Sequence, residues 1–510
     1  GVTSEISELQ GSCMTGSALV IGSGFGGIAS ALRLRALGLD VHVIERLDDI
    51  GGRAQVIEVD GYKHDAGPTV ITAPFLFDEL FELFGEKRAD HIEFRELNPW
   101  YRFVFPDGDQ FNYGGTLEET LQEIRRIEPK DRAGYESLVK HSKAMFDIGF
   151  SELAHQPFHQ IKTMAKQIPH LARLRSDRSV WDMVCQHLTN DKLRQAFSIQ
   201  PLLVGGSPFD TTSIYGLIHY LERAYGIFFA MGGTGALVAQ LKQLMLRQGI
   251  TIQTGATVSE ILTSQNRVSG VKLESNDVIT ADYTVFNGDP MYLYRELLPQ
   301  KQIPFATRLK RDYSKLSMGL YVLFFGTDTQ YPDIAHHTIW MGQRYRELLD
   351  DIFHRQILAD DFSLYLHRPT ATDPSFAPSG HDSFYVLAPV PHQGSGIDWA
   401  VEEPKLRERI IDALGRTILP GLKEHIQAPF AMTPDQFSDD YLSYKGAGFS
   451  IAPLFTQSAW FRFHNKAEGF DNLFLAGAGT HPGAGMPGVI SSAKVVERLV
   501  REATHQPEVA

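Results

Sequence analysis

The first strongly patterned stretch of the chain is Ala18–Ile21, a short apolar run, followed by a glycine cluster and then Ile28, Leu32, Leu34 and Leu37 at helical spacing. The run predicts a buried strand, and the spacing predicts a helix from about Phe25 to a stop at Gly38. Val41–Ile44 is a second apolar strand, closed by Glu45. Strand, helix and strand in this order predict a parallel β-α-β unit.

Further on, Val56–Val59 and Tyr62–His64 read as a hairpin turning at Asp60-Gly61. Helices are predicted at Phe75–Phe84, Leu117–Ile127, Tyr135–Phe150, Ser213–Ala224 and Ala236–Gln248, with a strand at 100–105. Leu202–Ser207 reads as a loop. Ile250–Thr254, Ala256–Ile261, Val268–Leu273, Val278–Ala281 and Asp282–Phe286 form a strand-rich passage, left through the turn Asn287-Gly288-Asp289-Pro290. Leu316–Phe325, Phe362–Leu366 and Phe384–Ala388 read as buried strands between loops. The chain ends with a strand at Leu473–Ala476, a glycine-rich turn at Gly477–Pro487 and a helix at Gly488–Arg498.

The glycines between the first strand and helix carry chemistry. Gly22, Gly24 and Gly27 fill G-x-G-x-x-G, with Phe25 and Gly26 between them. The first glycine allows a tight turn, the second lets backbone approach a pyrophosphate, and the third lets helix and strand pack closely. The helix N-terminus favours a phosphate. Glu45 lies where such units bind ribose hydroxyls, which favours FAD or NAD over NADP. Spacing alone leaves FAD and NAD open.

Gly51-Gly52-Arg53 and Asp65-Ala66-Gly67-Pro68-Thr69 follow, and 472–494 reads NLFLAGAGTHPGAGMPGVISSAK. Together these runs resemble the flavoprotein superfamily of amine oxidases, protoporphyrinogen oxidases and carotenoid desaturases. The C-terminal run is similar to that of bacterial-type phytoene desaturases. The resemblance extends from about Ala18 to about Val496. It implies an α/β fold with a Rossmann-like FAD-binding domain of discontinuous segments, an inserted mixed α+β substrate domain, and a helical membrane-associating region. The expected division is a tail at 1–16, FAD-binding parts at 17–99, 226–290 and 465–510, a helical region at 100–225, and a substrate domain at 291–464.

The cofactor set implied is Gly22, Gly24, Phe25, Gly26, Gly27, Glu45, Arg46, Gly52, Arg53, Gly67, Pro68 and Thr69, then Val258 through its backbone, and Gly477, Gly479, Thr480, Gly488 and Val489. The activity implied is stepwise dehydrogenation of 15-cis-phytoene, a C40 isoprenoid, with oxygen or a quinone reoxidising FAD. Another carotenoid desaturase or isomerase, or an amine oxidase, is the nearest alternative. A non-redox isoprenoid carrier resembling Rab GDP-dissociation inhibitors is more distant, because those proteins have eroded cofactor glycines.

Composition narrows the partners. A net charge of −13 argues against nucleic acid. Cys13 and Cys185 are the only cysteines, which gives no disulfide framework and suits a reducing cytoplasm. No apolar run reaches the ~18 residues of a membrane span. Ser151–Val180 carries Lys162, Lys166, Arg173, Arg175 and Arg178 against Glu152 and Asp177, interleaved with apolar residues. Such a basic amphipathic stretch suits peripheral contact with the inner face of an anionic membrane. His155, His159 and His170 lack ligand spacing, and no metal site is expected. His336, His337, His367 and Asp373 are read as core or surface residues, and no catalytic residue or proton acceptor is assigned.

Overall fold

The computed structural model describes residues 13–148, 165, 166, 168, 169, 172–458 and 461–504. A five-stranded parallel sheet gathers three distant parts of the chain. Its order is Leu473–Leu475, Tyr283–Phe286, Ser17–Ile21, Asp40–Ile44 and Thr251–Gln253. Ser17–Ile21 pairs in parallel with Asp40–Ile44 on one side and with Tyr283–Phe286 on the other. A strand so flanked is buried on both faces and needs a continuous apolar run, which Ala18–Ile21 supplies. The helix Phe25–Ala36 buries Ile28, Leu32 and Leu34, and shares its apolar cluster with Ile490, Val496 and Val500 of the helix Met486–Thr504. Both ends of the chain thus share one core.

A second, seven-stranded sheet has the order Ile426–Met432, Gly319–Thr327, Asp382–Val390, Leu364–His367, His337–Trp340, Tyr101–Val104 and Gln110–Tyr113. The sheet joins the passage around Tyr101 to the one after Gly319, which the sequence reading kept in separate regions. It is antiparallel except where His337–Trp340 meets Tyr101–Val104. Gly319–Thr327 is fully buried, and its side chains alternate. Tyr321, Leu323 and Phe325 pack with Trp399, Leu406, Ile410 and Leu414 of the helix Trp399–Arg416. Leu320, Val322 and Phe324 face the other way.

The helix Leu117–Ile127 matches its predicted span, while the helix around Tyr135 runs from Asp131 to Ile148. Ser213–Ala224 divides into a 3-10 turn, Ser213–Leu217, and a helix, Ile218–Tyr225. Leu202–Ser207 is entered by a 3-10 turn, Gln200–Val204, rather than being loop throughout. Trp399–Arg416 is an unpredicted helix whose apolar spacing is interrupted by Pro404. Ile426–Met432 also escapes the pattern because Pro429 breaks it, and it lies at the sheet edge, where a missing N–H is tolerated. Most of Ser151–Val180, including Lys162, lies outside the described residues. No described helix is long and apolar enough to cross a membrane.

Candidate active site

A cavity of 640 Å³ starts where the parallel strands end. Gly22, Glu45 and Asn287 line it directly after Ile21, Ile44 and Phe286, and Gly477 lines it two residues after Leu475, at the carboxyl ends of four neighbouring strands. Open parallel sheets bind ligands at this edge.

The wall includes Gly22, Gly24, Phe25, Glu45, Arg46, Gly52, Arg53, Gly67, Pro68, Thr69, Val258, Gly477, Gly479, Gly488 and Val489. Three residues expected in the cofactor set stand behind it. A Cβ on Gly27 would lie 2.1 Å from the Gly22 carbonyl oxygen, so Gly27 serves the contact of helix with strand. Gly26 is hemmed in by the Asn287 side chain and the Gly477 backbone. Thr480 is fully buried, and its hydroxyl donates to the Phe463 carbonyl at 2.6 Å.

Polar contacts hold this cradle rigid. Glu45 is buried and accepts from the Ser23 backbone N–H at 3.2 Å, from the Ser23 hydroxyl, and from the Leu47 N–H at 3.0 Å. A carboxylate has about four acceptor sites, so ribose hydroxyls can still donate to it. The Arg46 guanidinium is turned to the carbonyls of Asp440 and Asp439, at 2.7 and 2.9 Å. Arg53 donates to the Ser443 hydroxyl at 2.7 Å and lies near the rings of Phe437 and Tyr441. Burial lowers its pKa, while Tyr441 and Asp289 pull it back up.

Asn287 and Asp289 are wall residues that the sequence reading treated as a turn. The Asn287 amide donates to the Ala476 carbonyl at 3.0 Å and bridges the two glycine clusters. Asp289 accepts from the Tyr444 N–H at 2.9 Å and from the Ser450 hydroxyl at 3.0 Å. Burial raises its carboxyl, against those bonds and the charge of Arg53. The available signal was their position, just past the end of a parallel strand.

Beyond the cradle the lining turns apolar. Leu320, Val322 and Phe324 face Tyr385, Leu387 and Pro389 of the neighbouring strand, with Leu202, Val204, Ile214 and Ile218 opposite. Among its polar groups, Thr69 is bonded to the hydroxyls of Tyr385 at 2.5 Å and Tyr365 at 3.3 Å.

Behind this chamber, Glu222 is fully buried, and neither carboxyl oxygen has a hydrogen-bond partner among the described residues. Burial raises its pKa from 4.5 to about 8, against the pull of Arg223. The native state therefore keeps a proton that the unfolded chain gives up. Stability from this group is full below about pH 4.5 and declines as pH rises towards 8. Glu222→Gln is expected to remove that decline. Urea denaturation should find the variant more stable than wild type at pH 8 and nearly equal at pH 4.

Glycine-rich backbone at the ends of parallel strands, opening without a break into an apolar chamber, makes a dinucleotide-type site joined to a pocket for a hydrophobic ligand. The pattern of the family described as flavin containing amine oxidoreductase matches residues 25–496, and the chain belongs to that family. It is 44% identical over 484 residues to the lycopene-forming phytoene desaturase of Pantoea ananas, covering 95% of this chain and 98% of that one. It is 42% identical over 492 residues to the neurosporene-forming enzyme of Cereibacter sphaeroides, covering 95% of each chain. An oxidoreductase from Methanosarcina mazei shares the fold with a TM-score of 0.65 at 16% identity, over 95% of this chain and all of that one.

The cofactor is therefore FAD, and the residues present fit it. Gly24 adds no side chain where a pyrophosphate has to approach, with only the Asn287 side-chain oxygen near its missing Cβ. Glu45 is placed for a ribose, and Gly488 sits in the first turn of Met486–Thr504, where the helix dipole favours negative charge; Val489 lines the same wall, with its N–H donated to the Gly485 carbonyl at 2.9 Å.

Proposed function

We propose that the chain dehydrogenates phytoene, with Glu45, the Gly22–Gly24 turn, Arg53, Gly67–Thr69, the Val258 backbone and Gly477, Gly479, Gly488 and Val489 holding FAD. The observation that carries this reading is the continuity of one cavity from glycine cradle to apolar sheet face. When bound, FAD supplies hydride acceptance from an allylic carbon.

The chain's own work is to bind, orient and keep water out. Leu320, Val322, Phe324, Leu387 and Pro389 offer a hydrocarbon shape and apolar contact. At about 25 cal/mol per Å² removed from water, a long polyene gains affinity by burial alone. Thr69, Tyr365 and Tyr385 place hydroxyls where the apolar chamber meets the cradle.

Peripheral contact with the inner face of an anionic membrane belongs to the same proposal, as does reoxidation of FAD by oxygen or a quinone. The basic stretch from Ser151 to Val180 supports the membrane contact, and a substrate that dissolves in lipid requires some route of delivery. The test is incubation with FAD and phytoene in anionic and in neutral liposomes under air. Coloured polyenes that need FAD, formed faster on anionic vesicles, are expected. Protein that holds FAD yet leaves phytoene colourless defeats the substrate assignment, and equal rates on both vesicles defeat the electrostatic membrane contact.

A further inference from the structure

Each desaturation releases a proton inside a chamber with few polar groups, so the proton needs a way out. One wall of the chamber offers a route. Tyr365 lines the cavity, and its hydroxyl is bonded to Nδ1 of His337. His336, His337 and His367 are buried together, with one ring nitrogen of each within 4.8 Å of the others. Nε2 of His336, Nε2 of His337 and both ring nitrogens of His367 have no hydrogen-bond partner among the described residues. Four orphaned nitrogens in one place are costly unless something bridges them. A single water, making two hydrogen bonds of about 2.9 Å, spans such gaps. On the far side, Nδ1 of His336 is bonded to the Thr372 hydroxyl at 2.6 Å, and Thr372 is half-buried.

We propose that Tyr365, His337, His336 and Thr372, with His367 flanking the gap, carry the proton of each desaturation from the cavity to the surface. The proposal rests on the desaturation reading above. Two electrons and two hydrogens leave the substrate in each round. The hydride goes to the oxidant of the reaction, bound flavin. The electron pair of the neighbouring C–H bond becomes the new double bond, and the proton of that bond enters the path. Tyr365 accepts it as its own proton passes to His337. Each imidazole then takes a proton on one nitrogen and yields one from the other, as a relay requires.

Burial lowers the pKa of all three histidines, His337 to about 3, so the rings stand neutral and able to accept. A weak base is sufficient here, because a carbon skeleton that has lost a hydride is a very strong acid. A metal ion is the other occupant that such a cluster suggests. Its three ligand groups include no carboxylate, and Asp382 on the neighbouring strand is already held by Arg368. A buried dication there would lack a neutralising partner.

The test uses the holoprotein with phytoene in liposomes. Tyr365→Phe cuts the path at its inner end and Thr372→Val at its outer end, with little change in volume. Turnover is expected to fall by about tenfold or more in each. FAD content and the phytoene concentration giving half-maximal rate stay as in wild type, and the solvent deuterium isotope effect on turnover rises. Elemental analysis of flavin-free protein finds no stoichiometric metal, and a crystal structure shows ordered water among the three rings. Wild-type turnover and isotope effect in both variants overturn the path. Loss in Tyr365→Phe alone overturns the exit at Thr372. A stoichiometric transition metal on the histidines also overturns the path, since a metal-bound Nε2 cannot pass a proton. FAD-bound wild type that leaves phytoene unchanged overturns the desaturation reading instead, and shows itself without any variant.

Discussion

Gly24→Val yields a folded protein that has lost its flavin. The position faces the cavity, and a Cβ there meets only the Asn287 side-chain oxygen, at 3.0 Å. A side chain that can shift absorbs that contact cheaply, so the melting temperature stays within a few degrees of flavin-free wild type. The valine methyls, however, occupy the space that a pyrophosphate needs, and close backbone approach is the purpose of that glycine. Absorption of the purified protein, with FAD titration by fluorescence, checks this. Full FAD retention in a folded variant would refute the placement. Gly27→Val makes the contrast, because a Cβ there lies 2.1 Å from backbone oxygen. It is expected to disrupt helix and strand together, and to lower stability as well as flavin content.

Asp382→Ala is expected to cost about 3–5 kcal/mol of stability, read by denaturant unfolding of the FAD-bound protein. Asp382 is fully buried and accepts from Nε and Nη2 of Arg368 at 3.1 and 3.2 Å, from the Thr370 hydroxyl at 2.7 Å and from the Tyr331 N–H at 2.6 Å. Removing the carboxylate leaves a buried guanidinium without a counter-charge. The double variant Asp382→Leu with Arg368→Met is expected to cost less than Asp382→Ala alone, since it removes both charges. A single variant within 1 kcal/mol of wild type would show that solvent reaches Arg368.

The cradle was legible because its demands are local. A turn at Gly22, room at Gly24 and an acid at Glu45 sit at spacings that a βαβ unit dictates. In the second sheet four strands were legible, at Gly319–Thr327, which reads as one apolar run buried on both faces, and at Asp382–Val390, Leu364–His367 and Tyr101–Val104, but their assembly into one sheet was not. His337–Trp340 is short, and its pairing with Tyr101–Val104 joins residues far apart in the chain, for which a single sequence carries no signal. Asn287 and Asp289 look like a turn until the strand before them is seen to enter the sheet between Ser17–Ile21 and Leu473–Leu475. The histidines were dismissed one by one; only the register that sets His337 opposite His367 gathers them. Thr480 was misplaced because it shares a glycine-rich run with true wall residues, while its hydroxyl is needed by the Phe463 carbonyl.

The order of the parallel sheet also constrains biosynthesis. Tyr283–Phe286 separates the first strand from the last, and Leu473–Leu475 completes the row near the far end of the chain. At ribosomal speeds of roughly 5–20 residues per second, Tyr283–Phe286 waits on the order of tens of seconds for its partner Leu473–Leu475. During that wait the Tyr283–Phe286 edge is open, and the loops to be closed are long and slow. The complete nucleotide cradle therefore forms only after the segment from Leu473 to Val489 has left the ribosome. Flavin supply and chaperone cover at that late moment, rather than early in translation, should govern the yield of active protein.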